Sequence, residues 1–214
     1  MTDTPPFICT PGVVKAEMCD RIIALGDALP SGAPQVVRSD SESYRGDKRK
    51  GVISFFPQGE EFGFLYDGIN YFAEQANREH WNFELLGLLP LQYSIYRRGD
   101  FFDWHRDTMT VPKELSPPGK PLVRKLSFSL QLSNDHDYVG GDFQVRNADR
   151  SVDEALWTRM RQRGSFIVFP SLTVHQVTPV IFGERRSLVG WVLGTASDED
   201  LRHDIASRYE VPEK

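Results

Sequence analysis

At 214 residues, with 40% apolar side chains and 17 glycines, the chain is long enough for one full domain, which at this length buries roughly 70% of the surface its unfolded form exposes. It therefore needs neither a disulfide nor a structural metal to fold. Thirty acidic against 25 basic residues give a net charge of −5, which argues against nucleic acid as the main partner but leaves room for a small anion held by one or two arginines.

The first segment, MTDTPPFICTPGVV, has no basic residue before Lys15 and no apolar core, so it does not read as a signal peptide. Cys9 and Cys19 make neither a zinc motif nor a disulfide framework, which fits a reducing cytoplasm. Thr10-Pro11 reads as the cap and first turn of a helix whose apolar positions Val13, Val14, Met18, Ile22, Ile23 and Leu25 run up to Pro30. Residues 38–51 form a polar, charged loop with Arg38, Tyr44 and the basic run Lys48-Arg49-Lys50, followed by the strand-like VISFFP. Phe64, Leu65, Ile69, Phe72, Ala73 and Ala76 predict a second amphipathic helix ending near Trp81. The greasiest run, LLGLLPL, is cut by Pro90, so no membrane span is expected.

From Leu91 the texture becomes short β-like runs separated by turn residues. LQYSIY, FFDWHRD, KLSFSLQLS, GGDFQV, GSFIVFP, TVHQVTPV and RSLVGWVLG give about seven or eight strands. In KLSFSLQLS, Leu126, Phe128, Leu130 and Leu132 share one face while Ser127, Ser129, Gln131 and Ser133 share the other. Even spacing predicts a mainly β fold with flanking helices, a jelly roll or barrel rather than βαβ units. Residues 111–121 hold four prolines and are too long for a simple hairpin; they and 38–51 are candidate lids, against the plainer reading of solvated loops. Asp198 to Arg208 reads as a short terminal helix.

The chemistry concentrates in few residues. Of five histidines, His105 has an acid two residues on, Asp107, and strand geometry would point both side chains the same way. His175 lies in a second strand-like run. Two histidines and one carboxylate can occupy one face of an octahedral iron and leave three positions open. Ten residues beyond His175 stands Arg185, and in a strand Arg185, Ser187, Val189 and Trp191 share a face while Arg186, Leu188 and Gly190 take the other. An inward guanidinium beside a hydroxyl suits a carboxylate. Asp135-His136-Asp137 follows a strand and precedes Gly140-Gly141, which reads as a solvated turn.

The segments YSIYRRGDFFDWHRDT, KLSFSLQLSNDHDYVGGDF and GSFIVFPSLTVHQVTPVIFGERRSLVGW, with their H-x-D…H…R pattern, resemble the iron(II)- and 2-oxoglutarate-dependent dioxygenases. Within these the chain is most similar to the prolyl 4-hydroxylase branch, including bacterial PKHD-type hydroxylases. The resemblance implies a double-stranded β-helix (jelly roll, cupin-like) in an α+β chain. It implies residues 1–90 as helical and strand support, 91–194 as catalytic core and 195–214 as a C-terminal extension of a single domain. It implies His105, Asp107 and His175 as iron ligands, and Arg185 as the partner of the distal carboxylate of 2-oxoglutarate. Tyr96, Gln131 and Ser187 are the further co-substrate contacts it implies, and Trp191 an aromatic packed beside the metal shell. Tyr93, facing the opposite way from Tyr96, is left to the core. The implied cofactors are Fe(II), 2-oxoglutarate and O2, with ascorbate as reductant, and the products succinate, CO2 and a hydroxylated substrate.

The substrate implied is a prolyl residue or other peptide side chain. The alternatives are a free amino acid or small metabolite under the same chemistry, or a non-oxidative jelly-roll metal-binding protein. Departures narrow this further. Collagen-type prolyl 4-hydroxylases carry lysine where Arg185 stands. AlkB-type demethylases carry a second arginine where this chain has Trp191, which argues against nucleic acid. Halogenases of the superfamily lack the carboxylate that Asp107 supplies. A cytoplasmic enzyme without a membrane anchor is expected, and a homodimer is compatible with it.

Overall fold

The computed structural model describes residues 5–32, 48–112, 116–147, 151–152 and 154–208. The elements before Leu91 are β1 (Ile8–Thr10), α1 (Ala16–Asp27), β2 (Arg49–Lys50), β3 (Val52–Phe56), α2 (Gly63–His80) and β4 (Leu85–Leu88). Then come β5 (Leu91–Tyr96), β6 (Phe101–His105), β7 (Leu122–Gln131), β8 (Tyr138–Gly140), β9 (Phe143–Val145) and α3 (Glu154–Arg161). The chain continues through β10 (Phe166–Pro170), β11 (His175–Val177), β12 (Val180–Gly183), β13 (Arg185–Thr195) and α4 (Asp198–Arg208).

A seven-stranded antiparallel sheet runs β1-β10-β7-β13-β5-β3, with β4 added on β13. A smaller sheet runs β2-β6-β11-β9, and β12 and β8 make a two-stranded ribbon. Alternation in β7 decides what each face of the large sheet meets. Leu126, Phe128 and Leu130 join Leu91, Tyr93 and Leu188 in a core that packs against Ile22 of α1 and Leu65, Ile69 and Ala73 of α2. The other face looks at the small sheet. Tyr96, Ile167 and Phe169 meet Phe143, Val145 and Val177 across the gap, closed at one side by Leu156 and Met160 of α3. Ser127, Ser129, Gln131, Arg185 and Ser187 are buried on this inner face, so polar groups line the space between the sheets. This is the double-stranded β-helix. At the helix–sheet contact, a Cβ on Gly26 would sit 2.7 Å from the Tyr93 ring, so only glycine lets α1 come this close.

Three local expectations change. Thr10 does not cap a helix: Ile8, Cys9 and Thr10 pair with Val168, Ile167 and Phe166, the chain turns through Gly12 at φ 58°, and α1 begins at Ala16. Ladder pairing, which satisfies backbone groups and buries an edge, outweighs one cap. From Leu91 on there are nine strands among the described residues, because TVHQVTPV divides at Thr178-Pro179 and Tyr138–Gly140 pairs with the second half. The helix α3 has no counterpart in the sequence reading, although the buried Leu156 and Met160 stand four apart, as helix packing requires.

One irregularity matters for everything downstream. The β13–β7 ladder passes from Val192↔Leu126 to Leu193↔Arg124, skipping Lys125 as a β-bulge. Parity reverses at the bulge. Arg124 thereby joins the inner polar face, its guanidinium 3.8 Å from the centre of the Trp191 ring. Lys125 is directed away and meets Asp200 of α4 in a buried ion pair, with Ser197 donating its backbone N–H and its hydroxyl to the same Asp200 oxygen at 2.7 Å each.

Asp200→Ala leaves the Lys125 ammonium buried without its partner, so thermal unfolding is expected to show a loss of about 3–5 kcal/mol. Burial works to raise the Asp200 carboxyl, but hydrogen bonds from Lys125 and Ser197 outweigh it and hold it below its usual value. A depressed carboxylate stabilises fully above its ordinary value of 3.8 and loses that contribution as pH falls through the lower folded value. The gap between wild type and Asp200→Ala therefore closes only in strong acid.

Candidate metal centre

Strand pairing brings the two histidines together. His175 on β11 lies opposite His105, the last residue of β6, with ring centres 4.1 Å apart. Asp107 is past the end of β6, so strand alternation does not place it. The backbone N–H groups of Asp107 and Thr108 instead donate to the Ser171 carbonyl at 2.9 and 3.1 Å. Ser171 is itself fixed by its N–H on the Lys125 carbonyl and by a hydroxyl contact with Ser127 at 2.9 Å. A hook onto the neighbouring turn thus delivers the carboxylate.

The imidazoles are oriented by carbonyls, which can only accept. His105 Nδ1 lies 2.7 Å from the Asp103 carbonyl and His175 Nδ1 3.0 Å from that of Thr173, so both Nδ1 atoms carry the proton. Each Nε2 is then a bare lone pair, and these atoms stand 3.5 and 3.4 Å from the two Asp107 oxygens. The three ligand atoms gather within 4.8 Å, the only such group among the described residues. An octahedral metal with ligands near 2.1 Å needs cis neighbours about 3 Å apart, so a small closure suffices.

Electrostatics agree. Burial and the neighbouring His105 push the His175 imidazole down to about 4 despite Asp107, so at neutral pH it is the neutral form a metal requires. Burial works to raise the Asp107 carboxyl, but His175 and His105, whenever either imidazole takes a proton, together with the Arg124 guanidinium outweigh it and hold it far below the usual range. Two imidazole nitrogens and one carboxylate fit Fe(II).

The other end of the inner face holds a buried arginine. Arg185, 2% exposed, opens β13 opposite Tyr96 of β5, whose ring centre is 5.9 Å from the guanidinium. Its Nε donates to Gln131 Oε1 at 3.1 Å and its Nη1 to the Ser187 hydroxyl at 3.5 Å. Among the described residues no carboxylate lies within salt-bridge distance of it. A buried cation without an anion is costly, and a bound dicarboxylate would satisfy it. Arg186, on the opposite parity, pairs with Asp27 and Glu184 on the outside. Tyr93 is in the outer core, donating to Asp27 at 2.8 Å.

Gln131 is placed beside the anchor, but its amide is already in use. Besides accepting from Arg185 it donates to the Ser133 carbonyl and to Tyr138 Oη, each at 3.0 Å, so it orients the guanidinium through its own bonds. Trp191 is buried beside Arg124. Trp191→Ala removes that packing and should cost about 3–5 kcal/mol in thermal or denaturant unfolding; an unchanged midpoint would contradict the packing. Asp135-His136-Asp137 is an exposed turn, with Asn134 held by Asp137. Of the candidate lids, Arg38, Tyr44 and residues 113–115 lie outside the described residues. Arg49 and Lys50 form β2 on the small sheet, and Val111 is tied to Leu122 by its N–H.

Sequence reading did not single out Arg124 or Tyr138. Arg124 was hidden by the bulge; Tyr138 follows the Asp-His-Asp turn and drew no notice without its partner Gln131.

Comparison with known proteins gives a family resemblance in sequence and a shared fold in structure. Residues 91–193 match the family model of the 2OG-Fe(II) oxygenase superfamily. A PKHD-type hydroxylase of Shewanella baltica is 31% identical over 119 residues, covering 53% of this chain and 49% of the relative. One of Hyphomonas neptunium is 32% identical over 118 residues, covering 55% and 48%. The chain thus aligns with about half the length of these curated relatives. Among solved structures, a Pseudomonas putida prolyl-4-hydroxylase superposes with TM-score 0.62 at 19% identity, over 88% of this chain and 92% of the other. A Trichoplax adhaerens prolyl hydroxylase, solved with a hypoxia inducible factor peptide fragment, gives 0.66 at 15% identity over 98% and 89%. These likenesses show the shared fold. With the sequence match running from β5 through β13 and the triad and buried arginine inside it, the chain resembles the 2OG-Fe(II) oxygenase superfamily over about half its length and, within it, the PKHD-type hydroxylases.

Proposed function

We propose that the protein is an iron(II)- and 2-oxoglutarate-dependent dioxygenase that hydroxylates a C–H bond, releasing succinate and CO2, with a prolyl residue or other peptide side chain as substrate. Residues 91–194 form the catalytic core and 1–90 its support. The observation that carries the reading is the buried Arg185, without a carboxylate among the described residues, on the inner face that also holds His105, Asp107 and His175.

His105 and His175 present Nε2 and Asp107 a carboxylate to Fe(II), each held in direction by a backbone contact. Arg185 takes the distal carboxylate of 2-oxoglutarate in its planar fork, with Ser187 and Tyr96 beside it and Gln131 fixing its plane. Bound iron and co-substrate supply the oxidising chemistry with O2; the protein supplies orientation and a space screened from water by the two sheets. Ascorbate serves as reductant. No helix among the described residues is long and apolar enough to cross a membrane.

The deciding experiment measures succinate formed from 2-oxoglutarate with iron(II) and ascorbate, in wild type and Asp107→Ala. Turnover in wild type alone supports the reading. If neither makes succinate, titration calorimetry of 2-oxoglutarate into metal-loaded protein decides: binding means turnover awaits the substrate, and absence of binding returns the chain to a non-oxidative metal-binding jelly roll.

A further inference from the structure

Ser94, Ser127, Ser129 and Ser187 stand on the inner face of the large sheet, and all but Ser129 have partners there. Ser127 Oγ lies 2.9 Å from Ser171 Oγ. Ser187 accepts from Arg185 at 3.5 Å, and Ser94, opposite Ser187 on β5, accepts from Gln92 at 2.7 Å. Ser129 is 2% exposed, and its hydroxyl has no hydrogen-bond partner among the described residues. The ladder explains why. Its cross-strand neighbours are Val189 of β13 and Ile167 of β10, and neither has a polar side chain. A buried hydroxyl without a partner is costly, so the position favours a ligand that accepts a hydrogen bond.

Ser129 stands midway between the two functional ends of this face. One step of strand alternation away, about 7 Å, Ser127 meets Ser171, whose carbonyl holds the backbone N–H of Asp107. One step the other way, Gln131 accepts from the Arg185 guanidinium. The order repeats on β13, where Val189, opposite Ser129, stands between Ser187, beside the anchor, and Trp191, opposite Ser127. A dicarboxylate held at Arg185 and reaching the metal therefore crosses the row of Ser129 and Val189. Its distal carboxylate belongs to Arg185, so the other end of the molecule arrives over this row. Val189 offers that end only methyl groups, and Gln92, across Val189, is already bonded to Ser94. Ser129 offers a donor.

We propose that Ser129 is a co-substrate contact whose hydroxyl donates to the metal-chelating carboxylate of 2-oxoglutarate and so fixes the direction in which that carboxylate lies. The assignment rests on the dioxygenase reading above and adds a residue for the end of the co-substrate that Arg185 does not touch. Serine suits the task. An O–H bond to a carboxylate is charge-assisted, and with no competing acceptor in the protein the proton is free to be given.

The test uses anaerobic protein loaded with iron(II) and titrated with 2-oxoglutarate, whose chelate gives a visible charge-transfer band. Valine and threonine share a shape and differ by a methyl group against a hydroxyl, so Ser129→Val and Ser129→Thr separate the hydrogen bond from the space it occupies. The expected result is that Ser129→Val needs roughly 10- to 100-fold more 2-oxoglutarate to form the band and forms it at a displaced wavelength, because a bond to the chelate itself is lost. Ser129→Thr restores both. Arg185→Lys, acting at the distal carboxylate, raises the required concentration but leaves the wavelength in place, and its loss adds to that of Ser129→Val in the double variant. Ser129→Ala takes the place of Ser129→Val if the latter fails a thermal-melt check for folding.

The contact is overturned if the folded variant without a hydroxyl titrates like wild type, or if Ser129→Thr fails as Ser129→Val does, which would make the position one of size alone. It is also overturned if affinity falls with the wavelength unchanged, or if the two losses are not additive; either would place Ser129 behind the Arg185 anchor. Failure of wild type to form the band at all rejects the dioxygenase reading and the contact with it.

Discussion

His175→Ala abolishes succinate formation while the domain stays folded. His175 contributes one of three ligand atoms, and its Nε2 stands 3.4 Å from Asp107 with Nδ1 held by Thr173. Losing even an outer hydrogen-bond partner of a metal ligand typically costs about 10- to 100-fold in affinity or activity, so loss of the ligand itself exceeds that range. The fold survives because His175 belongs to neither apolar cluster. It touches Phe169 and Phe143 at ring distances of 4.7 and 5.5 Å, contacts whose loss should cost about 1–2 kcal/mol. Thermal melts with and without Mn(II), a redox-quiet stand-in for Fe(II), separate the two effects. Wild type gains stability with metal by mass action, and His175→Ala does not. Retained turnover would remove His175 from the metal site.

Arg185→Leu should change binding and stability in opposite directions. With the guanidinium gone, 2-oxoglutarate loses a buried charge-assisted bond, expected to weaken it by about 2–5 kcal/mol, roughly 30-fold to several-thousand-fold in affinity. The ligand-free protein, however, sheds a buried cation that has no acidic partner among the described residues, so its melting temperature stays level or rises. Calorimetry with 2-oxoglutarate and a melt of the same sample read both quantities. Arg185→Lys keeps the charge but not the planar fork, and falls between. Simple collapse of the variant would mean that Arg185 serves the fold instead of the co-substrate.

Much of this was legible in the sequence because a strand's period of two is unforgiving. The parity of β13 separates Arg185 from Arg186 by spacing alone: the former is buried on the inner face and the latter bridges Asp27 and Glu184 outside. The same rule sorted the leucines and serines of β7 and set Tyr96 apart from Tyr93. It failed where the chain leaves the ladder. Asp107 reaches the site by hydrogen bonds to Ser171, which no spacing rule encodes. Arg124 is brought inward by a bulge at Lys125, and bulges carry no reliable local signature. Thr10 looked like a cap because a local motif cannot show that a distant strand, Phe166–Pro170, will capture the same backbone.

The register of β13 has a consequence for the cell as well as for the site. A slip of one residue would carry Arg186, Leu188 and Gly190 into the pocket and turn Arg185, Ser187 and Trp191 out of it. With Arg185 as the proposed anchor, a mis-threaded sheet of this kind would have no grip on 2-oxoglutarate, whereas the correctly threaded one would. Co-substrate at a hundred times its dissociation constant would favour the native threading by about 2.7 kcal/mol. The supply of a central carbon metabolite would then govern how much of the polypeptide escapes proteolysis in its competent form, as well as how fast that form turns over.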